Sequence, residues 1–161
     1  MIIIMGISGC GKTTIGKLLS KKLNLPFYDA DEFHSEINIE KMKNNKALND
    51  TDRLPWLKSL SNYIKEWQSE GGAILACSAL SEKHREILSS KVDKINWVYL
   101  YGSFEIITDR LEKRNSHFMK AALLKSQFEA LEIPQYGLHI SVEKPAKEIV
   151  SIITSKLNLN A

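Results

Sequence analysis

Short apolar runs alternate along the chain with longer stretches in which apolar residues recur every three or four positions. The short runs are typical of strands buried on both faces, and the longer stretches are typical of helices with one face in a core. Strands that alternate with helices form a parallel sheet covered by helices on both faces, so an α/β fold is predicted. The five predicted strands are Ile2–Met5, Phe27–Tyr28, Ala73–Cys77, Asn96–Leu100 and Leu138–Val142.

Helical spacing fills the intervals between these runs. In the longest predicted helix, Asp50 or Thr51 is expected to cap the N-terminus, and Pro55 is expected to be tolerated because it falls in the first turn. The other predicted helices follow the first strand and lie near residues 39–43 and 82–89, after Ser103, over 120–131 and after Pro145.

Composition narrows the function classes. The length of 161 residues indicates one domain, and 22 Lys and Arg against 19 Asp and Glu leave a net charge of +3, which favours neither a nucleic-acid nor a membrane partner. Ile2–Met5 has no basic residue before its apolar run, so no signal peptide is predicted, and no apolar run approaches the roughly 18 residues of a membrane span. Two cysteines make no disulfide framework, so a cytoplasmic location is expected.

A phosphate-binding motif follows the first strand. It matches G-x-x-x-x-G-K-[ST] without a mismatch and opens a helix, which is the context that the motif requires. In such a loop backbone N–H groups surround a phosphate, the lysine reaches the β- and γ-phosphates, and the hydroxyl can bind Mg²⁺. Cys10 is expected to be a small filler within the loop, without chemistry of its own. The predicted nucleotide-binding residues are Gly6, Ile7, Ser8, Gly9, Cys10, Gly11, Lys12, Thr13 and Thr14.

The remaining motifs favour a kinase over a GTPase. A GTPase needs an N-K-x-D guanine reader and a D-x-x-G switch; residues 45–48 lack the aspartate, and D-x-x-G is missing from the sequence. Asp29 and Asp31 follow the second strand, at the edge where parallel sheets bind ligands. If the segment is extended, both carboxylates share one side, where one could hold a Mg²⁺ water and the other a substrate hydroxyl. A solvated acidic turn is the alternative.

Several further blocks resemble the gluconate kinases (gluconokinases), which are P-loop small-molecule kinases similar to shikimate kinases. The blocks cover nearly the whole chain, and those after the phosphate loop are the more specific. They are Gly6–Thr13, Phe27–His34, Asn38–Met42, Ala47–Leu57, Cys77–Leu80, Arg110–Phe118 and Gln127–Pro134. The resemblance implies a P-loop NTPase fold with a five-stranded parallel sheet, a homodimer, and phosphorylation of the 6-hydroxyl of D-gluconate by Mg·ATP to give 6-phosphogluconate.

The resemblance also implies roles for individual residues. Asp31 becomes the catalytic base, Lys12 a catalytic cation, and Asp29 with Thr13 the Mg²⁺ partners. Gluconate carries a carboxylate, so its site needs a cation, and a guanidinium can hold a carboxylate through two parallel hydrogen bonds. Arg53 is the first candidate for that cation, although it could instead pair with Asp50 or Asp52. Lys41 and Arg85 are weaker candidates for the same cation. Ser78 and His34 are also expected to bind the substrate. His34 is equally compatible with a structural role.

Arg110 and Arg114 are four residues apart and share one helix face. By resemblance, Arg110 lies near the nucleotide and Arg114 acts in catalysis, beside a lid-like segment at about 114–125; a solvated basic face is the alternative. Two other functions stay open: a related kinase for another small acid such as shikimate, and a nucleotide-binding module without catalysis.

Overall fold

A parallel sheet of five strands forms the centre of the protein. The structure is a computed structural model, described here for residues 1–44, 46–113 and 121–159. The strands run in the spatial order β2-β3-β1-β4-β5, and all four neighbouring pairs are parallel. The fold class expected from the sequence is therefore confirmed. The strands are β1 (Ile2–Met5), β2 (Phe27–Asp29), β3 (Ile74–Ala76), β4 (Asn96–Tyr101) and β5 (Leu138–Ser141).

Helices connect the strands and cover both faces of the sheet. In the part of the chain that the structure describes, no helix combines the length and apolar character needed to cross a membrane. A short 3-10 helix, Ala30–Phe33, follows β2 directly. The α-helices are α1 (Lys12–Leu23), α2 (Glu36–Lys43), α3 (Asp50–Ser69), α4 (Glu82–Ser89), α5 (Phe104–Lys113), α6 (Ala121–Ala130) and α7 (Ala146–Lys156).

Alternation along β1 divides the core into two layers. Ile2 and Ile4 pack into a cluster that also includes residues of α1, α5 and α7. Ile3 and Met5 point the other way, into a cluster with α3 and α4. All four side chains are buried, as expected for a central strand with helices on both sides.

The start of α3 differs from the prediction. Asn49, rather than Asp50 or Thr51, caps the helix, and it forms a capping box with Asp52: each side chain accepts a hydrogen bond from the other's backbone N–H. Pro55 consequently lies in the second turn and not in the first. The capping box matters for the site because it fixes the direction in which the first turn of α3 presents its charged side chains.

The strand order brings the carboxyl ends of β1, β2 and β3 together. Asp29 at the end of β2 is paired with Ala76 of β3, and Ile4 of β1 is paired with the same residue. The Gly6 N–H donates to the Ser78 carbonyl (3.3 Å), which joins the loops that follow β1 and β3. Residues far apart in the sequence thus meet at one edge of the sheet, where parallel sheets bind ligands.

Candidate active site

The loop after β1 has a shape that only glycine allows at two places. Gly6 has a φ of 142°, and a Cβ there would lie 2.5 Å from the Leu100 carbonyl oxygen. Gly9 has a φ of 84°, and a Cβ there would lie 2.8 Å from Leu111 Cγ of α5. The loop is therefore held between β4 and α5 and leads into the N-terminus of α1, where free N–H groups and the helix dipole favour an anion.

Lys12 lies at the mouth of this loop. Its Nζ donates to the carbonyl oxygens of Gly6 (2.9 Å) and Ile7 (3.0 Å). The ammonium group is thus folded over the loop, within reach of any phosphate that the loop amides would bind. A cation in this place is needed to neutralise charge on transferring phosphoryl groups.

Thr13 and Asp29 join the loop to the end of β2. Thr13 Oγ1 donates to Asp29 Oδ2 over 2.8 Å. A hydroxyl and a carboxylate oxygen are both hard ligands of the kind that Mg²⁺ prefers. These two residues therefore fit a shared magnesium site, as the sequence predicts. The hydrogen bond between them argues against the alternative of a solvated acidic turn.

Asp31 lies beside this pair, but not through an extended backbone. It belongs to the 3-10 helix after β2, and its N–H donates to Asp29 Oδ1 (3.2 Å), so Asp29 caps that short helix. The Asp31 side chain remains 78% exposed. Desolvation by the surrounding protein raises the pKa of Asp31, the charge of Asp29 raises it further, and Lys12 opposes the rise. A carboxylate with a raised pKa is a better proton acceptor for a hydroxyl.

His34 is packed behind Asp31. Its ring stacks on Trp56 with centroids 4.1 Å apart, and its side chain is only 4% exposed. Burial and the nearby charge of Arg53 lower the pKa of His34 to about 4, so the ring is neutral at pH 7. Nε2 is 3.9 Å from Asp31 Oδ1, which is too long for a hydrogen bond. Among the described residues, buried Nδ1 has no hydrogen-bond partner.

Arg53 projects from the first turn of α3 and keeps its charge unpaired. Asp52 is bound to Lys41 (2.6 Å), and Asp50 is bound to Lys83 (3.2 Å). Among the residues that the structure describes, Arg53 makes no ion pair with either carboxylate. Burial lowers the pKa of Arg53, with Asp50 and Asp52 opposing that effect, but a guanidinium stays protonated. A half-buried cation without a partner favours an anionic ligand over the alternative of pairing within the helix.

Comparison with known proteins decides the family. The family model described as shikimate kinase matches residues 8–149. The gluconokinase of Arabidopsis thaliana is 40% identical over 178 residues, which cover 98% of this chain and 94% of that protein. The thermosensitive gluconokinase of Escherichia coli is 44% identical over 135 residues, covering 83% of this chain and 72% of its own.

The chain belongs to the gluconokinase family. The crystal structure of a gluconokinase from Sinorhizobium meliloti agrees with this, with a TM-score of 0.90, 32% identity, and coverage of 98% of this chain and 90% of that one. Shikimate kinase from Aquifex aeolicus shares the fold, with a TM-score of 0.56 and 20% identity over 98% of this chain and 95% of that one. The resemblance stated from the sequence is confirmed.

Two basic residues of the kinase already have partners within the protein. Arg85 is 1% exposed, and its donors bind the Glu82 carboxylate (2.6 Å) and the carbonyl oxygens of Ala79 (2.8 Å) and Glu132 (2.8 Å). It braces the loop after β3 and has no free donor for a substrate. Lys41 pairs with Asp52 over 2.6 Å, and its expected role as a substrate cation stays a prediction.

The other expected site residues have simpler positions. Ser78 meets Gly6 through its carbonyl, as described above, and Thr14 is exposed in the first turn of α1. Arg110 donates through Nη2 to the Val142 carbonyl, beside the loop after β5. Arg114 and residues 114–120 of the expected lid lie outside the described residues; 121–125 form the first part of α6.

Burial also decides the chemistry of the cysteines. Desolvation, followed by the charge of Asp31, raises the pKa of Cys77 to about 12, so this thiol stays protonated at neutral pH and is no nucleophile. Cys10 is 1% exposed and packs against Gly6, as expected of a filler.

Sequence reasoning missed two residues near the site. His84 of α4 approaches Asp50 (Nε2 to Oδ1 3.4 Å) on the side of α3 that carries Arg53. Gln127 of α6 binds Ser8 of the phosphate loop at two points. Gln127 stands in one of the family blocks quoted above, but no local pattern indicates a partner 119 positions away.

Proposed function

We propose that this protein transfers the γ-phosphoryl group of ATP to the 6-hydroxyl of D-gluconate, giving ADP and 6-phosphogluconate with release of the hydroxyl proton. The observation that carries the proposal is the meeting of a phosphate loop and an acidic pair at one sheet edge, with Arg53 close to His34, which lies beside Asp31. Gluconokinases related over nearly the full chain support gluconate as the acid.

Asp31 would accept the proton of the attacking hydroxyl. Its side chain is exposed and lies beside Asp29, which is bound to Thr13 of the phosphate-loop motif, so a substrate hydroxyl can reach it there. Lys12 would follow the transferring phosphoryl group, leaving the carbonyl groups of Gly6 and Ile7 that it now contacts. Phosphoryl transfer needs mainly positioning and charge neutralisation, and these residues supply both.

Thr13 and Asp29 would hold Mg²⁺, since their oxygens already meet at the rim of the loop. Bound there, Mg²⁺ neutralises charge that spreads over the β- and γ-phosphates during transfer. The protein contributes the two oxygen ligands and keeps Asp29 in place through the cap that it gives to the Asp31 N–H.

Arg53 would bind the carboxylate of the sugar acid. The carboxylate and the reacting hydroxyl are at opposite ends of gluconate, so a base and a cation on different elements are required, and Asp31 and Arg53 meet that need. His34 is buried and neutral beside Asp31, and its stacking on Trp56 would support this part of the site from behind.

A substrate panel tests the proposal. ADP release is measured with gluconate, shikimate and other sugar acids, and the product is examined by NMR for phosphate at carbon 6. Activity on gluconate that falls about 100-fold or more in Lys12→Ala would support the proposal, since one lost charge-stabilising donor has an effect of that size. Activity on shikimate without activity on gluconate would overturn it, and no activity on any acid would favour a nucleotide-binding module.

We propose further that the enzyme is a cytoplasmic homodimer. Cys10 and Cys77 are free and buried, as is usual in reducing compartments. The dimer rests on the family resemblance alone, and light scattering of the purified protein tests it: a mass near 18 kDa would refute it.

A further inference from the structure

Gln127 connects α6 to the phosphate loop through both atoms of its amide group. Its Oε1 accepts from the Ser8 backbone N–H over 2.8 Å, and its Nε2 donates to Ser8 Oγ over 3.0 Å. Ser8 is the third residue of the loop, and its N–H is one of the backbone donors that line such loops. One backbone N–H of the loop therefore donates to Gln127, a residue outside the phosphate-loop motif.

The neighbouring residues limit how the loop can move. Gly9 leaves no room for a Cβ against Leu111 and Ile107 of α5. The rings of Phe104 and Phe128 meet with centroids 5.6 Å apart, which packs α5 against α6. The segment Ser8–Gly9 therefore lies against two helices, with an apolar contact on one side and the Gln127 amide on the other.

The end of α6 is fixed independently of the loop. Just beyond it, the Glu132 N–H donates to the Leu80 carbonyl (2.9 Å), and the Glu132 carboxylate accepts from the Glu82 N–H (2.7 Å). Buried Arg85 adds a hydrogen bond to the Glu132 carbonyl (2.8 Å). Gln127 therefore reaches the loop from a helix whose C-terminal side is hydrogen-bonded to the segment after β3.

We propose that Gln127 is a positioning residue for nucleotide binding: by holding the Ser8 N–H and hydroxyl, it presets the phosphate loop in the conformation that receives the ATP phosphates. The inference deepens the proposed function, because its kinetic consequences rest on that reaction. Loss of Gln127 frees the loop, so ATP affinity falls while recognition of the sugar acid, on the side of Arg53, does not change.

The test measures nucleotide binding without the sugar acid. Isothermal titration with Mg²⁺ and a non-hydrolysable ATP analogue is expected to give a Kd about 10-fold higher for Gln127→Ala, the effect of a part-buried donor that loses its partner. Ser8→Ala should have a smaller effect and should add nothing to Gln127→Ala in the double variant. Gln135→Ala is the matched control, because Gln135 is exposed and bonds only its local chain at Ile133.

Gln127→Glu separates positioning from packing. A glutamate can accept from both the Ser8 N–H and the Ser8 hydroxyl, so the contact and the melting temperature should be preserved. Its negative charge would lie beside the anion site, so the Kd should rise at least as much as in Gln127→Ala, and the rise should shrink at high salt. At high salt, where the charge is screened, Gln127→Glu should bind the nucleotide within about twofold of wild type while Gln127→Ala does not, and this difference supports the proposal.

Two results would overturn it. Binding within twofold of wild type in both variants would show that the loop is preset without Gln127. An equal rise of the Kd in Gln127→Glu and Gln127→Ala at high salt would also overturn it, because the glutamate keeps both contacts to Ser8 and salt screens its charge. If Gln127→Ala does not fold, Gln127→Met, similar in length but unable to hold the Ser8 N–H, takes its place. If the wild-type protein does not phosphorylate gluconate, the proposed function is refuted. The role of Gln127 is still decided by the nucleotide-binding measurements, which use no gluconate.

Discussion

Replacement of Arg53 by alanine should remove recognition of the substrate carboxylate and leave the nucleotide site intact. Arg53 is a half-buried cation with no ion-pair partner among the described residues, since Asp52 is bound to Lys41 and Asp50 to Lys83. Its guanidinium is free to hold a carboxylate through two parallel hydrogen bonds. Within residues 1–44, 46–113 and 121–159, Arg53 forms no hydrogen bond or ion pair with the phosphate loop.

The size of the effect follows from the bonds lost. Hydrogen bonds to charged groups contribute about 1.5–3 kcal/mol, which corresponds to a fall in kcat/KM for gluconate of about 10- to 150-fold. The KM for ATP should stay within about twofold. Steady-state kinetics with each substrate varied in turn measures both constants. D-glucitol carries an alcohol in place of the carboxylate and should therefore be a poor substrate for wild type. In Arg53→Ala, the ratio of kcat/KM for gluconate to kcat/KM for glucitol should fall towards one.

Lys83→Ala is the matched control, because it removes a neighbouring cation that is exposed and already paired with Asp50. It should leave the preference for gluconate over glucitol unchanged. The reasoning is refuted if Arg53→Ala keeps the wild-type preference, or if it raises the KM for ATP as much as the KM for gluconate.

Three further predictions concern the base, the buried histidine and the buried arginine. Asp31→Asn should retain nucleotide binding by titration but lose turnover, because an amide cannot accept the proton; unchanged turnover would remove Asp31 from the reaction. His34 is neutral in the folded protein with a pKa of about 4, so stability should fall as pH drops from 6.5 towards 4, by about 2–3 kcal/mol at pH 4.5. Urea unfolding at pH 7 and 4.5 should show a smaller loss for His34→Phe, which cannot titrate, and an equal loss would contradict the assignment. Arg85→Ala should lower stability by about 2–4 kcal/mol in the same assay, because the carbonyl groups of Ala79 and Glu132 lose a buried donor. The KM for gluconate in the folded fraction should stay the same, and a raised KM with normal stability would restore the substrate role.

The parts of the site that depend on local spacing could be predicted from the sequence. The phosphate loop follows from glycines, a lysine and a threonine at fixed offsets, and the strand before it follows from four consecutive apolar residues. Strand and helix positions along the rest of the chain agree closely with the apolar pattern, because burial on one or both faces imposes that pattern directly.

The parts of the site that depend on contacts between distant residues could not be predicted from the sequence. Arg53, Lys41 and Arg85 are all candidate substrate cations from the sequence, but only the fold shows that Lys41 pairs with Asp52 and Arg85 with Glu82. Asn49 took the cap because the capping box with Asp52 satisfies two backbone N–H groups at once, a choice among several suitable polar residues. Gln127 meets Ser8 only through the packing of α6.

The most direct test is a crystal structure with Mg²⁺, a non-hydrolysable ATP analogue and gluconate bound together. An Asp31 carboxylate oxygen should lie within hydrogen-bond distance of the 6-hydroxyl, about 2.6–3.2 Å, with the sugar-acid carboxylate on Arg53. Gluconate bound in the reverse direction, or with its 6-hydroxyl out of reach of Asp31, would contradict the central claim that this acidic pair faces the phosphate loop to phosphorylate a sugar acid.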